Sequence, residues 1–183
     1  MTVTAAAPRA GSGRDVLRRF LSQPSAVVAL AVFVGFCLAA LFAPWLAPQN
    51  PYDLAQVDIL DSLLPPGSES FAGMTYWLGT DGQGRDMLSA ILYGIRISLL
   101  VGVLSGVLAL MVGTVVGLIA AYRRGWVDTV LMRIVDLQLS FPTILVALIL
   151  LVILGRGVDK IIFALVVVQW AYFARTVRGV ALV

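Results

Sequence analysis

The sequence contains no histidine and a single cysteine, and only 13% of its 183 residues are charged. Without histidine there is no histidine-based catalytic triad and no histidine-ligated metal. One cysteine excludes thiolate clusters. Cys37 lies in an apolar run, so it reads as a small lipid- or helix-facing residue and not as a reactive thiol. The shortage of charge is matched by 60% hydrophobic residues. Soluble domains hold roughly 45–50% apolar and about 25% charged residues, and a chain of this size cannot bury such an excess. The composition predicts an all-α integral membrane protein with the lipid bilayer as a partner. Nucleic acid is not expected as one.

Crossing a bilayer takes about 20 apolar residues, and the chain holds about four such stretches. They run over residues 26–47, 97–122, 129–154 and 160–174. A cytoplasmic tail, residues 1–25, precedes the first. A cleaved leader is the alternative reading of that first run, since Arg18 and Arg19 stand before it. The run is longer than a usual leader core and ends in Pro44-Trp45 and Pro48 without a small-x-small cleavage site. A retained span is therefore expected, with Trp45 as an interfacial anchor. Residues 48–96 form the one long polar stretch. Pro51, Pro65, Pro66 and Gly67 punctuate it, and Asp53, Asp58, Asp61 and Glu69 make its first part acidic. It reads as an extended loop with little core of its own.

Basic residues set the orientation. Four crossings put Arg9, Arg14, Arg18, Arg19, Arg123, Arg124, Arg133, Arg175 and Arg178 on one side. The other side holds Arg85, Arg96, Arg156 and Lys160. The side with nine should be cytoplasmic, which leaves the N-terminus inside and the acidic loop outside.

Within that loop, Gly79, Gly82 and Gly84 permit a tight reversal. From Asp86 onward, Met87, Leu88, Ile91, Leu92 and Ile95 recur at helical spacing opposite Ser89, Tyr93 and Arg96. This predicts an interfacial helix over residues 86–96, with Asp86 as its cap or first-turn acid. The reversal is no phosphate loop, for it lacks the Gly-Lys-Ser/Thr run. It is no EF-hand either, because Leu92 stands where the closing glutamate belongs.

The run Trp77-Leu78-Gly79-Thr80-Asp81, then Gly84-Arg85-Asp86, Ser89, Gly94, Arg96, Ser98-Leu99 and Val101-Gly102, resembles the signature of one permease family. These are the inner-membrane permeases of ATP-binding-cassette importers for dipeptides, oligopeptides and nickel, in their second, C-type subunit. Tyr122 to Asp128 is similar to the family's cytoplasmic turn. Met132-Arg133, Asp136 and Phe141-Pro142 are similar to the start of its next helix, and Gly155-Arg156-Gly157 to the outer turn after that. Two departures stand out: Tyr76 or Trp77 occupies the place of a frequent histidine, and Ala90 that of a frequent arginine. The resemblance implies part of a type-1 importer transmembrane domain, over residues 97–183, that carries di- or oligopeptides by alternating access. Nickel import, or a non-transporting membrane scaffold, are the alternatives. It implies a homologous permease subunit, two ATPase subunits and an extracytoplasmic substrate-binding protein as partners, in the inner membrane of a prokaryote. No cofactor, metal or catalytic residue is expected in this chain, since ATP and magnesium belong to the ATPase subunits. The chain stops at Val183, where the family's Glu-Ala-Ala coupling loop is expected to begin.

Four groups of residues are the site candidates. Gly79, Thr80, Asp81, Gly84, Arg85 and Asp86 form the signature elbow. Gly102, Gly106, Ala109, Gly113 and Gly117 fall within about 80° of one another on a helix, a small-residue stripe that lets another helix approach closely. Gln138, Ser140 and Gln169 are polar groups deep in apolar runs, so they are candidates to line a path. Pro142 withdraws the helical partner of the Gln138 carbonyl. Arg133, Asp136, Arg175 and Arg178 read as cytoplasmic-end charges, with Arg133 and Asp136 spaced to pair. Asp128 is expected to cap the third span.

Overall fold

In the computed structural model, residues 13–53, 55–70 and 73–183 are described; Arg9 and the first twelve residues of the tail lie outside them. Helix α1, Gly13–Leu21, leads into α2, Pro24–Leu46. Pro24 stands in the first turn of α2, where its missing N–H costs nothing. No charge interrupts the run that follows. Pro44 lies in the last turns and cannot donate to the Ala40 carbonyl, and the helix closes with the Ala47 N–H on the Ala43 carbonyl at 2.9 Å.

The polar stretch after α2 has a core of its own, contrary to the expectation of an extended loop. A 3-10 turn, Ile59–Asp61, precedes two short antiparallel strands, β1 (Ser68–Glu69) and β2 (Thr75–Tyr76). Ser68 pairs with Tyr76 and Glu69 with Thr75. Gln49, Asp61, Tyr76, Asp86 and Ser89 are all buried. Side chain-to-backbone bonds hold this cap together, a pattern that leaves no hydrophobic periodicity to read.

Helix α3 runs unbroken over Met87–Arg123, 37 residues. The interfacial helix expected at 86–96 is therefore the first turns of the same helix that continues through 97–122. No proline intervenes, and Gly94 and Arg96 are tolerated within a helix. At about 1.5 Å per residue, α3 exceeds the roughly 30 Å hydrocarbon core of a bilayer.

The chain divides into two compact units, Met1–Arg96 and Ile97–Val183. In the second, α4 (Gly125–Ser140), α5 (Thr143–Leu154) and α6 (Val158–Ala181) follow α3. The third expected span, 129–154, is α4 plus α5, bent by 88° where Phe141 and Pro142 interrupt the helix. The fourth is longer than its apolar run, because Asp159 and the arginines near its end are compatible with a helix. Val135, Ala171 and Ala174 form the core of this unit, with Val116, Met132, Leu139 and Trp170 packed around them. No residue of α5 is buried. Among the described residues, three helices are long and apolar enough to cross a membrane, or four if the bent pair counts as one.

Candidate functional site

The signature elbow is built on hydrogen bonds to one carboxylate. Asp81 Oδ1 accepts the backbone N–H groups of Gln83 at 2.8 Å and Arg85 at 3.1 Å. Asp81 Oδ2 accepts Arg85 Nε at 2.8 Å, and the guanidinium adds a second contact at 2.7 Å. Burial pulls the Asp81 carboxyl upward, but the Arg85 side chain, the two backbone N–H groups and the arginine charge outweigh it. The carboxyl is held below its ordinary value. Thr80 fixes the elbow from the other side. Its hydroxyl donates to the Asp61 carbonyl at 2.5 Å and accepts the Leu64 N–H at 2.8 Å.

Gly79 and Gly84 take φ near +78°, in the left-handed region. Space forbids a side chain at both as well. A Cβ at Gly79 would run into the Leu64 carbonyl, and one at Gly84 into the Asp58 carbonyl. These two residues let the elbow lie flat on the segment between Asp58 and Pro66.

Asp86 caps α3: its Oδ2 accepts Ser89 N at 2.8 Å and Ser89 Oγ at 2.5 Å. Gln49, just beyond α2, closes the circle. Its backbone N–H donates to Ser89 Oγ at 3.1 Å, and its Oε1 accepts the Asp86 N–H at 2.8 Å. The end of α2 and the start of α3 are thus tied through three polar side chains. Beside them Tyr76 donates its phenol hydrogen to Asp61 Oδ2 at 2.8 Å. Burial, then the Asp61 hydrogen bond and charge, push the Tyr76 phenol up to about 12. Sequence reasoning missed Gln49, Asp61 and Tyr76 as a buried network. The only signal was the frequency of polar residues between prolines, which loops share.

Around the cap, Ile59, Leu60, Leu63, Trp77 and Leu78 are exposed. These apolar side chains are the exposed rim of the cap, outside its buried polar network.

In the second unit the small-residue stripe divides in two. Gly113 and Gly117 face α6 closely: a Cβ at Gly113 would lie 2.5 Å from Phe173 Cβ and the Trp170 carbonyl, and one at Gly117 2.6 Å from the Ala174 carbonyl. Ala109 and Ala120 are fully buried. Gly102 and Gly106 meet nothing within 4 Å of an added Cβ.

The charges pair across helices instead of along one. Asp136 bonds Arg175 of α6, not Arg133 as its spacing suggested. Asp128 does not cap a helix. It lies in the first turn of α4 and takes Arg178 of α6 in a two-pronged bond at 2.5 Å to each oxygen. Antiparallel packing of α4 on α6 brings these residues together, a contact that local spacing cannot reveal. Ser140 Oγ donates back to the Asp136 carbonyl at 2.6 Å. Gln138 and Gln169 are half-buried, and their side chains have no hydrogen-bond partner among the described residues.

Two family models match the chain. Residues 12–66 match the N-terminal transmembrane domain of oligopeptide transport permease C. Residues 113–182 match the inner membrane component of binding-protein-dependent transport systems. The glutathione transport system permease protein GsiD of Pectobacterium atrosepticum is 40% identical over 170 residues, covering 93% of this chain and 54% of that protein. The oligopeptide transport system permease protein OppC of Bacillus subtilis is 36% identical over 91% of this chain and 52% of its own length. The dipeptide transport system permease protein DppC of Escherichia coli K12 is 42% identical over 90% and 54% respectively. The chain thus spans about half the length of the curated relatives it matches. Two family models, together with likeness over nine-tenths of the chain, identify this multi-pass membrane chain as a member of the family of permease-C inner membrane components of binding-protein-dependent transport systems.

Proposed function

We propose that this chain supplies part of the translocation path of an importer for di- or oligopeptides. The observation that carries the reading is the likeness over nine-tenths of the chain to permeases named for dipeptide, oligopeptide and glutathione transport. The helices change their packing so that a central path opens first to one side and then to the other. The chain hydrolyses nothing itself; two ATPase subunits on the cytoplasmic face supply the free energy. A homologous permease completes the path, and an extracytoplasmic binding protein delivers the peptide. Gln138, Ser140 and Gln169 are the candidates to line the path: the two glutamine side chains in apolar runs need a partner or water, and Ser140 ends α4 at the break before Pro142. The apolar rim of the cap, with Trp77 and Leu78 at its elbow, is the surface best suited to the binding protein. The membrane is the inner membrane of a prokaryote, and the N-terminus is cytoplasmic.

Reconstitution tests this reading. The tagged chain, co-expressed with a homologous permease and ATPase subunits, should retain the ATPases through purification. Proteoliposomes holding the complex should accumulate a labelled dipeptide only when ATP and the binding protein are present. Uptake that persists on an ion gradient after ATP is exhausted would show a different class of transporter.

A further inference from the structure

Helix α3 ends in Tyr122 and Arg123, and α4 begins one residue later with Gly125 and Trp126. No charged residue stands between Arg96 and Arg123. At about 1.5 Å per residue that run measures roughly 40 Å, more than the hydrocarbon core of a bilayer. Its last residues therefore reach a membrane boundary. The corner between the two helices is open there: Tyr122 is 85% exposed and Trp126 77%, and Arg123 and Arg124 are exposed beside them. Among the described residues neither arginine has an acidic partner. The acid of the next turn, Asp128, is matched by Arg178 of α6. The corner thus carries two uncompensated positive charges.

Two apolar grooves flank Tyr122. One, of about 730 Å³, sets Leu118, Ile119 and Val127 beside Arg123. The other, of about 430 Å³, sets Leu118, Ala121 and Ala181 beside Arg124. Each groove joins a hydrocarbon wall to one free guanidinium. A phospholipid has the complementary build, with acyl chains next to a phosphate that a guanidinium binds well. Tyrosine and tryptophan favour the headgroup level where the two meet. Charge selects the kind of lipid. A zwitterionic headgroup brings its own cation and gains little from two free arginines, whereas an anionic one gains from both. We propose that the α3–α4 corner binds an anionic phospholipid, with its phosphate on Arg123 and Arg124 and its acyl chains in the grooves on either side of Tyr122. The inference goes beyond the transport reading and does not depend on which molecule is carried.

Trp126 can report on the site once Trp45, Trp77 and Trp170 are replaced by phenylalanine. In phosphatidylcholine nanodiscs, a minor fraction of brominated phosphatidylglycerol should quench Trp126 more than the same fraction of brominated phosphatidylcholine. The preference should fall about fivefold in Arg123→Gln, the loss expected for one arginine at an anionic surface. Adding Arg124→Gln should bring it close to parity. Arg156→Gln removes one charge from the turn between α5 and α6 and should leave the preference unchanged. Thermal unfolding in detergent checks that the variants are folded. Raised salt tests the same attraction without a mutation and should shrink the preference of the parent chain. In cells, photoreactive p-benzoylphenylalanine in place of Ile119 tells lipid from protein. The expected product is the chain carrying radiophosphate that phospholipase C removes. A crosslink to another polypeptide, equal quenching by the two brominated lipids, or an undiminished preference in the folded double variant or at raised salt overturns the proposal.

Discussion

At the scale of single residues, two glycines carry the geometry of the elbow. Gly84→Ala forces a left-handed backbone on a residue with a Cβ and drives that Cβ into the Asp58 carbonyl. A loss of about 1–3 kcal/mol is expected for such strain, read as faster proteolysis of the cap. Gly82→Ala is the matched control. It has open space for a Cβ and no positive φ, so its cleavage rate should equal that of the wild type. Asp81 sets a pH limit on the same elbow. Because its folded-state pKa lies below the ordinary 3.8, the folded chain holds this proton less tightly than the unfolded one. Its stabilising contribution is complete above that ordinary value and is lost as pH falls through the depressed one. Acid titration followed by Trp77 fluorescence, with Trp45, Trp126 and Trp170 replaced by phenylalanine, should show a steeper loss of the cap with Asp81 present than with Asp81→Asn.

At the scale of elements, the apolar runs behind α2, α3 and α6 were legible in the sequence, because burial in lipid demands long uncharged runs; that the third expected span is two helices bent by 88° was not. Nor was what fills the small-residue stripe. Periodicity groups Gly106 and Gly113 on one side of α3, yet only Gly113 has α6 against its backbone. Gly113→Leu should therefore cut the yield of folded chain several-fold, whereas Gly106→Leu should leave it close to wild type when the chain is purified alone. Size-exclusion profiles of the two variants check this. The charge pairs teach the same lesson. Spacing pointed Asp136 at Arg133, but the antiparallel meeting of α4 and α6 gives it Arg175. Asp128→Arg should weaken the α4–α6 contact, and adding Arg178→Asp should restore thermal stability in detergent. The cap was the least legible part, since turns held by Asp81, Thr80 and Gln49 follow no period.

At the scale of the whole molecule, the sidedness inferred from arginine distribution can be measured directly. In a Cys37→Ala background, an impermeant thiol reagent applied outside should modify Glu69→Cys and spare Arg124→Cys. The reverse pattern would move the face proposed for the ATPase subunits to the other side. The exposed apolar surface of α3 and α5 agrees with a chain that meets lipid or further helices over most of its area.

The bidentate link from Asp128 to Arg178 carries a topological corollary. It joins the beginning of α4 to the last turns of α6, so the polypeptide returns to the level from which it departed. Whether the bent pair traverses the bilayer or folds back halfway, the parity of this excursion is even. Whatever follows Arg178 emerges on the same face as the Arg123–Arg124 turn.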